Sequence, residues 1–263
     1  MSTARLEPIL ASVRARAAAR RADQSLAALR ASVVPQPARR ARFVAALRER
    51  PFAFVTEIKR RSPSAGVLAR DIDVLERARA YADGGAAALS VLTEVDHFAG
   101  SPADLARVEP AGLPRLRKDF LLDEGMVLES RAMGADAVLL LAVCLPDPLL
   151  GELCATAQEH GLGVLLEVHH ERELERALEL CPDCIGVNAR DLTSFQVDLA
   201  TSERLLPEIP ERFVRVAESG LETLADLRRV RAAGANAALV GAALMRCADP
   251  ARLLSSWREG LGA

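Results

Sequence analysis

Two lysines stand out in this 263-residue chain, because arginine supplies almost all of its positive charge. Of the 34 basic residues, 32 are arginine, and only Lys59 and Lys118 are lysine. A lysine ammonium is compact and can lose its proton when its pKa is lowered, whereas a guanidinium stays charged. The two lysines are therefore candidates for proton transfer or for a tight contact with an anion.

Polar residues recur where apolar segments of the chain end. Because side chains alternate along a strand, Glu57 and Lys59 share one face of the first segment. The acid, base and amide groups at such ends are Glu57, Lys59, Lys118, Glu167, Asn188 and Glu218. Closely spaced acids and ammonium groups shift one another's pKa, which tunes general acids and bases. A purely structural ion-pair network is the alternative, but buried charges are often no more stabilising than apolar packing.

Eight apolar or β-branched segments, each followed by a helical stretch, are predicted to be strands. They span 52–58, 86–92, 113–117, 137–143, 164–168, 184–187, 213–217 and 237–240. Their ends follow one another at intervals of 21 to 34 residues, which is typical of parallel βαβ units. Eight units indicate a single (β/α)8 TIM barrel, an α/β fold with its active site at the C-terminal strand ends. A doubly wound open sheet is the alternative, but it usually begins with a glycine-rich turn that this chain lacks.

Small residues follow the last two predicted strands. Ser219 and Gly220 follow the seventh strand, and Gly241 and Ala242 follow the eighth. In this fold these two loops commonly bind phosphate through backbone N–H groups and a helix N-terminus. The pair predicts a phosphorylated small molecule as substrate.

The chain divides at one place in the sequence pattern. Residues 1–50 form a predicted helical extension, and residues 51–263 form the predicted barrel, with a hinge at 34–39 (VPQPAR). Within the barrel, glycines at 84–85, 134, 161 and 234 fall between a helical stretch and the next strand, where helix-ending glycines are expected.

The extension is strongly basic, with 11 arginines against three acids. Nucleic-acid contact and a mitochondrial transit peptide are two interpretations of such a segment. No aromatic residue precedes Phe43, so the segment lacks a stacking platform for single strands. We favour a solvated helical face and expect no nucleic-acid partner.

The cysteines and the apolar stretches indicate the compartment of the protein and whether it binds a metal or spans a membrane. Five cysteines without regular spacing predict a reducing compartment, and we expect the cytoplasm. Cys181 and Cys184 form a lone CxxC pair without the second pair that a zinc site needs, so no metal is predicted. The longest apolar stretch, 137–145, is too short to cross a bilayer, so we expect a soluble protein.

Six segments in register over residues 51–246 closely resemble the indole-3-glycerol-phosphate synthase family. They are VTEIKRRSPSAG (55–66), LSVLTEVDHFAGS (89–101), LPRLRKDFLLDE (113–124), LLEVHHEREL (165–174), GVNARDL (186–192) and VAESGL (216–221). The resemblance implies conversion of 1-(2-carboxyphenylamino)-1-deoxyribulose 5-phosphate into indole-3-glycerol phosphate, carbon dioxide and water in tryptophan biosynthesis. It implies no cofactor and no metal, and we expect a monomer.

The resemblance also implies roles for individual residues. Lys118 matches the general acid of ring closure. The base and the acid of dehydration lie among Glu167, Glu57 and Lys59, and the sequence does not decide which residue has which role. Asn188 and Glu218 match residues that orient the sugar hydroxyls and the lysines. The expected phosphate-binding residues are Ser62, Ser219, Gly220, Gly241 and Ala242, with Arg190 as support. The expected anthranilate pocket consists of Ser90, Phe98, Phe120 and Leu139, and the N-terminal helices are expected to cover the barrel mouth.

Three positions depart from the family pattern. Ala189 stands where a second Asn is usual, Ala242 stands where a polar residue is frequent, and Gly125-Met126 replaces an aromatic residue or Pro followed by Gln. A phosphoribosylanthranilate isomerase, which uses a Cys and Asp pair, is the nearest alternative enzyme. A catalytically silent barrel is the alternative from another class, since a fold alone does not prove activity.

Overall fold

Eight parallel strands close into one barrel in the computed structural model, which describes residues 6–23, 25–64, 66–69, 71–192 and 194–263. The strands are β1 (Ala53–Ile58), β2 (Ala88–Leu92), β3 (Arg115–Lys118), β4 (Ala137–Leu141), β5 (Gly163–Val168), β6 (Cys184–Asn188), β7 (Val214–Glu218) and β8 (Ala237–Val240). The barrel closes where β1 pairs with β8, with Ala53 opposite Ala237. The predicted TIM barrel is confirmed, and the open-sheet alternative is wrong.

Helices surround the barrel and extend from its first strand. In the described part of the chain they are α1 (Glu7–Asp23), α2 (Leu26–Ser32), α3 (Pro37–Arg48), α4 (Val74–Asp83), α5 (Ala103–Arg107), α6 (Glu124–Ala132), α7 (Asp147–Glu159), α8 (Glu171–Leu180), α9 (Leu199–Leu205), α10 (Leu224–Ala232), α11 (Ala242–Arg246) and α12 (Pro250–Leu261). Short 3-10 turns cover Glu109–Ala111, Ala142–Cys144 and Leu206–Glu208, and an antiparallel hairpin joins Arg61–Ser62 to Gly66–Val67. No described helix combines the length and apolarity needed to span a membrane.

The end of β4 is where the structure departs most clearly from the predicted strands. The sequence predicts a strand that continues to Val143, whereas β4 ends at Leu141 and a 3-10 turn follows. The Arg176 guanidinium on α8 donates hydrogen bonds to the carbonyls of Ala142 (2.9 Å) and Leu145 (2.7 Å). These contacts hold the backbone in the turn. The cause lies about 30 residues downstream, so the apolar run alone could not indicate it.

Helix α3 covers the N-terminal end of the barrel. It contacts β1, β2, β4, β5 and β7, and Phe43 lies against Gly163, where a Cβ atom would come within 3.1 Å of the ring. Its arginines bind the loops that lead into the strands: Arg39 donates to the Gly134 carbonyl, and Arg40 pairs with Asp183 at 2.9 Å. The first turn of this helix therefore belongs to the packed structure of the barrel.

The middle of the stretch predicted as a hinge contacts the barrel. The Gln36 backbone N–H donates to the His160 carbonyl at 3.4 Å, and α3 begins at Pro37. Proline is favoured in the first turn of a helix because its missing N–H would have no helical partner there. The hinge at 34–39 and the division of the chain after residue 50 stay predictions.

The basic extension is paired with acids of the barrel and is not simply solvated. The pairs are Arg16–Glu94, Arg20–Glu129, Arg21–Asp123, Arg30–Glu124 and Arg40–Asp183. Exposed pairs of this kind contribute little individually, about 0 to 1 kcal/mol each. Together they account for the charge asymmetry of the sequence, because the excess of arginine faces acids in the rest of the chain.

Four predicted helix-ending glycines are confirmed. Gly85, Gly134, Gly161 and Gly234 all have left-handed φ angles between +74° and +100°. Other residues adopt this backbone conformation at a cost of about 1 kcal/mol or more. Gly161 also lies against the backbone of Gln36, where a Cβ atom would collide with the carbonyl group.

Substitution of Gly161 by alanine should destabilise the protein more than the same change at Gly112. Both glycines have φ of +74°, but no atom lies within 4 Å of a Cβ built at Gly112. We expect Gly112→Ala to lower the free energy of unfolding by about 1 kcal/mol, and Gly161→Ala by about 2 to 4 kcal/mol because overpacking is added. Urea denaturation measures both. Equal losses would show that the close approach of Gln36 has no energetic weight.

Candidate active site

A cavity opens at the C-terminal ends of the barrel strands. It has about 1200 Å³ of empty space, part of it open to solvent. The sequence-predicted residues that line it are Glu57, Lys59, Ser62, Phe98, Lys118, Phe120, Leu139, Glu167, Asn188, Arg190, Glu218, Ser219, Gly220, Gly241 and Ala242. Ser90 is fully buried in β2 and is not among the residues that line the cavity. All but one of the predicted residues therefore meet in one place.

Lys118 lies between two buried carboxylates. Its Nζ atom is 3.1 Å from Glu167 Oε2 and 3.2 Å from Glu218 Oε2. Lys118 is the last residue of β3, Glu167 is the second-last residue of β5, and Glu218 is the last residue of β7. Closure of the barrel therefore brings the three side chains together. A cation held by two anions is fixed in position, so its ammonium group is already oriented when a substrate arrives.

The pKa values of these three groups are shifted in different directions. Burial favours the neutral amine of Lys118, but Glu167, Glu218 and Glu57 outweigh it and raise its pKa above the ordinary value. Burial would likewise protonate Glu167, but Lys118 and His169 outweigh it and lower its pKa. Burial, followed by repulsion from Glu167, raises the pKa of Glu218 to about 8. The cluster therefore combines an ammonium whose pKa is raised, one carboxyl group whose pKa is lowered and one whose pKa is raised.

Two glycines leave room for the carboxylates. A Cβ atom at Gly186 on β6 would collide with Glu218 Oε1, and one at Gly241 would collide with Glu57 Oε1. Sequence reasoning identified Gly241 as a phosphate-loop residue but missed Gly186. The contact is long-range, so only an unexplained glycine inside a predicted strand could have indicated it.

Glu57 and Lys59 form an ion pair on the cavity side of the first strand and its extension. The shared face predicted from strand alternation is thereby consistent with the structure, since both residues line the cavity. The Tyr81 hydroxyl donates to the Glu57 carbonyl at 3.3 Å, which fixes the backbone at this point. The two lysines of the chain thus face the same cavity.

Asn188 connects Glu167 to the loop after β6. Its Nδ2 atom donates to Glu167 Oε1 at 2.8 Å, and its Oδ1 atom accepts the Arg190 backbone N–H at 3.0 Å. The Arg190 guanidinium donates to the Phe195 carbonyl at 3.0 Å, which folds the loop back on itself. Both ends of the Asn188 amide are therefore used, and its orientation is set.

The loops after β7 and β8 form a small-residue wall. Ser219 and Gly220 have left-handed φ angles of +65° and +72°, and Gly241 immediately precedes α11. A Cβ atom at Gly220 would come within 2.6 Å of Val197 Cγ1, so both its φ angle and its surroundings require glycine. The wall leaves backbone accessible at the position where this fold commonly binds phosphate.

An apolar wall faces this side. The rings of Phe98 and Phe120 lie 6.1 Å apart between centroids and tilt by 45°. Leu6 and Ile9 from the N-terminal extension also line the cavity. Sequence reasoning missed these two residues, because an apolar side chain at the start of a basic extension does not indicate where it packs. The first helix thus reaches the barrel mouth, while α3 covers the other end.

Comparison with known proteins agrees with this arrangement. The family model described as indole-3-glycerol phosphate synthase matches residues 6–256. The chain belongs to the indole-3-glycerol phosphate synthase family. Proteins of that name from Opitutus terrae and Chromobacterium violaceum are 48% identical over 213 residues and 45% identical over 255 residues. The first match covers 78% of this chain and 80% of the relative, and the second covers 95% and 96%.

Solved structures with lower identity share the fold of this family member. A thiamine phosphate pyrophosphorylase from Pyrococcus furiosus has a TM-score of 0.57 at 18% identity, with 81% of this chain and 96% of that chain covered. A 3-hexulose-6-phosphate synthase has a TM-score of 0.59 at 19% identity, with 80% and 99% covered. Identities this low support the barrel fold alone.

The departures from the family pattern differ in their distance from the cavity. Ala242 lines it, at the first residue of α11. Ala189 is buried, and its backbone N–H donates to the Glu218 carbonyl at 2.9 Å. Gly125 and Met126 lie in the first turn of α6 and do not line the cavity. Only Ala242 is therefore placed to change a direct contact with a ligand.

The loop that carries Phe98 is built around Glu94, which sequence reasoning missed. The buried Glu94 carboxylate accepts backbone N–H groups from Asp96 (3.1 Å), His97 (2.7 Å) and Phe98 (3.0 Å). Arg16 on α1 donates to the same carboxylate at 2.7 Å. One acid therefore sets the position of an aromatic wall residue and ties the loop to the extension.

The polar groups that face the cavity are of three main kinds. They are the ammonium groups of the two lysines, the carboxyl groups of glutamates such as Glu167, and the amide of Asn188. Such groups can donate and accept protons and can hold a polar ligand in one orientation. The described residues contain no cluster of three or more His, Cys, Asp or Glu side chains placed to hold a metal ion.

Replacement of Glu218 by glutamine should flatten the pH dependence of stability. A carboxyl group whose pKa is raised on folding to about 8 stabilises the folded state fully below its unfolded value near 4.5, and this contribution is lost as pH rises towards 8. We expect the free energy of unfolding of the wild type to fall more steeply between pH 5.5 and 8 than that of Glu218→Gln. Urea titrations across this range measure the difference. Parallel curves would mean that Glu218 is already ionised at pH 5.5.

Proposed function

We propose that this protein is an indole-3-glycerol-phosphate synthase, a carboxy-lyase of tryptophan biosynthesis. It closes the ring of 1-(2-carboxyphenylamino)-1-deoxyribulose 5-phosphate and releases carbon dioxide and water. The observation that carries the proposal is the Lys118 ammonium, held between Glu167 and Glu218 in a cavity with an aromatic wall and a small-residue wall. Family membership supports the same reaction.

In the first step the ring carbon that bears the carboxylate attacks the ribulose carbonyl. A carbon–carbon bond forms, and the carbonyl oxygen takes a proton from Lys118 as it becomes a hydroxyl group. The raised pKa of Lys118 is compatible with this role, because a developing alkoxide is a stronger base than an amine. Carbon dioxide then leaves with its bonding electrons left in the ring, and the ring regains its aromatic character.

In the last step the new hydroxyl group leaves as water and a proton leaves the carbon next to nitrogen. We assign the base to Glu167, because its lowered pKa keeps it ionised at neutral pH. We assign the acid to Lys59, which is held by Glu57 on the opposite side of the cavity from β5 in the strand order. The sequence left this division open, and the proposal here follows from the pKa direction of Glu167 and the position of Lys59.

The remaining predicted residues bind and orient the substrate in this proposal. Ser62, Ser219, Gly220, Gly241 and Ala242 receive the phosphate. Phe98, Phe120 and Leu139 hold the anthranilate ring, and Asn188 and Glu218 orient the sugar hydroxyls. Arg190 supports the site through its loop contact. We leave Ser90 out of the binding residues because it is fully buried and does not line the cavity.

The proposal includes the setting in which the enzyme works. The reaction requires no cofactor or metal, and the partner is a small phosphorylated molecule, with no nucleic acid or membrane involved. We propose a monomer in the cytoplasm. The isomerase alternative lacks support, because no cysteine occurs among the described residues that line the cavity.

Lys118→Arg should abolish ring closure while substrate binding is retained. The substitution keeps the positive charge but removes an acid that can give up its proton. We expect kcat to fall by at least about 100-fold, with the substrate dissociation constant changed by less than about fivefold. Indole fluorescence follows turnover, and quenching titration follows binding. Turnover near the wild-type rate would contradict the role of Lys118, and absence of turnover in the wild type would contradict the proposed function.

Ala242→Ser should improve substrate binding. A hydroxyl group at the first residue of α11 can donate to the phosphate, and such a hydrogen bond contributes about 1 kcal/mol, or about fivefold in KM. Ala243→Ser is the matched control, because Ala243 does not line the cavity. Steady-state kinetics of both variants measure the effect. An unchanged KM for Ala242→Ser would place the phosphate away from this residue.

A further inference from the structure

His169 lies beside the proposed base, and neither ring closure nor dehydration uses it. It is the residue after β5 ends, and it is two positions beyond Glu167, so the two side chains share a face of the extended chain. Its Nε2 atom lies 3.3 Å from Glu167 Oε1, and its side chain is only 11% exposed. The contact is an ion pair and not an aligned hydrogen bond, since Nε2 makes none with the described residues.

The other side of the imidazole ring is held by Glu173. Its Nδ1 atom lies 3.1 Å from Glu173 Oε2, which also accepts the His169 backbone N–H at 2.7 Å. Glu173 is buried in the first turn of α8, where the positive end of the helix dipole stabilises its charge. The ring therefore has a fixed anchor on the side away from the cavity.

Each ring nitrogen faces a carboxylate, an arrangement that favours the doubly protonated form of the ring. Burial would favour the neutral ring, but Glu167 and Glu173 outweigh it and raise the pKa of His169 to about 10. A neutral imidazole carries one N–H only, and would turn a lone pair towards one of the two carboxylates. A histidine that keeps both protons at neutral pH does not shuttle them during turnover.

We propose that His169 is a positioning residue: held by Glu173, it fixes the Glu167 carboxylate in the orientation needed to remove the substrate proton. The inference rests on the proposed function. Glu167 Oε2 faces Lys118, while Oε1 is shared by Asn188 and His169. Without His169, Glu167 Oε1 keeps only its contact to Asn188 among the described residues. The carboxylate can then rotate towards Lys118. A catalytic group displaced by about 1 Å can lose up to about 100-fold in rate.

Two substitutions at His169 separate its two contacts. An asparagine amide reaches about as far as Nδ1, so His169→Asn retains a donor for Glu173 and loses the contact to Glu167. A glutamine amide reaches about as far as Nε2, so His169→Gln retains a neutral donor for Glu167. His160→Asn is the matched control, because His160 is a partly buried histidine at the end of α7 whose Nδ1 lies 2.9 Å from the Thr156 carbonyl oxygen, and it does not line the cavity.

Turnover of the substrate by the 263-residue chain, with thermal melting of each variant, tests the proposal. We expect His169→Asn to lower kcat by about 10-fold or more with KM within about twofold, and His169→Gln to recover a part of that loss, because its amide can donate to Glu167 but carries no charge. We expect His160→Asn to stay within about twofold of the wild type. A purely structural role predicts instead that the melting temperature falls and that glutamine gives no recovery.

A double-mutant cycle with Glu167→Gln adds a readout that a structural role would not produce. If His169 acts through Glu167, His169→Asn should cause no further loss of kcat once Glu167 has been replaced. Independent losses that multiply, or an unchanged kcat in His169→Asn, would overturn the inference while wild-type turnover still supports the proposed function. Absence of wild-type turnover would overturn both. If His169→Asn does not fold, Glu173→Gln replaces it, with the same fall in kcat expected from the loosened ring.

Discussion

The Lys118 ammonium, shared by two buried carboxylates, is the interaction on which the rest of the active site depends. One cation faces two buried carboxyl groups here, and the pKa values of the two acids shift in opposite directions. Glu167 has Asn188 and His169 as additional partners, whereas Glu218 Oε1 has no hydrogen-bond partner among the described residues. The pKa of Glu167 is lowered and that of Glu218 is raised. The two glutamates beside Lys118 therefore differ in how readily each gives up a proton.

The barrel makes this arrangement possible because it supplies rigid positions from several strands. A buried charge cluster is costly unless its geometry is good. That geometry depends on positions where glycine leaves space for a carboxylate. Gly186 on β6 and Gly241, directly after β8, leave that room next to the acids. The loop contacts of Arg190 and Glu94 then set the walls of the cavity without touching the central cluster. The charged groups and the loops that form the cavity walls are thus positioned by different parts of the fold.

The fold and the central site residues were predictable because they follow from local rules. Strand alternation placed Glu57 and Lys59 on one face, and the ends of parallel strands placed Lys118 near the acids. Contacts between distant segments were not predictable. The turn after β4 depends on Arg176, and the contact of Gln36 with His160 joins residues that are far apart in the sequence. Ser90 is not among the residues that line the cavity, and strand alternation could not indicate this. His169 was missed because its partner Glu173 comes close only once α8 has formed.

The pairing of the N-terminal extension has a consequence for how the molecule is made. Its arginines pair with acids that all lie later in the chain, from Glu94 to Asp183. Because a chain is synthesised from its N-terminus, these arginines are made before the acids that pair with them. The ion pairs that attach the extension to the barrel can therefore form only after the barrel segments that carry those acids have been synthesised.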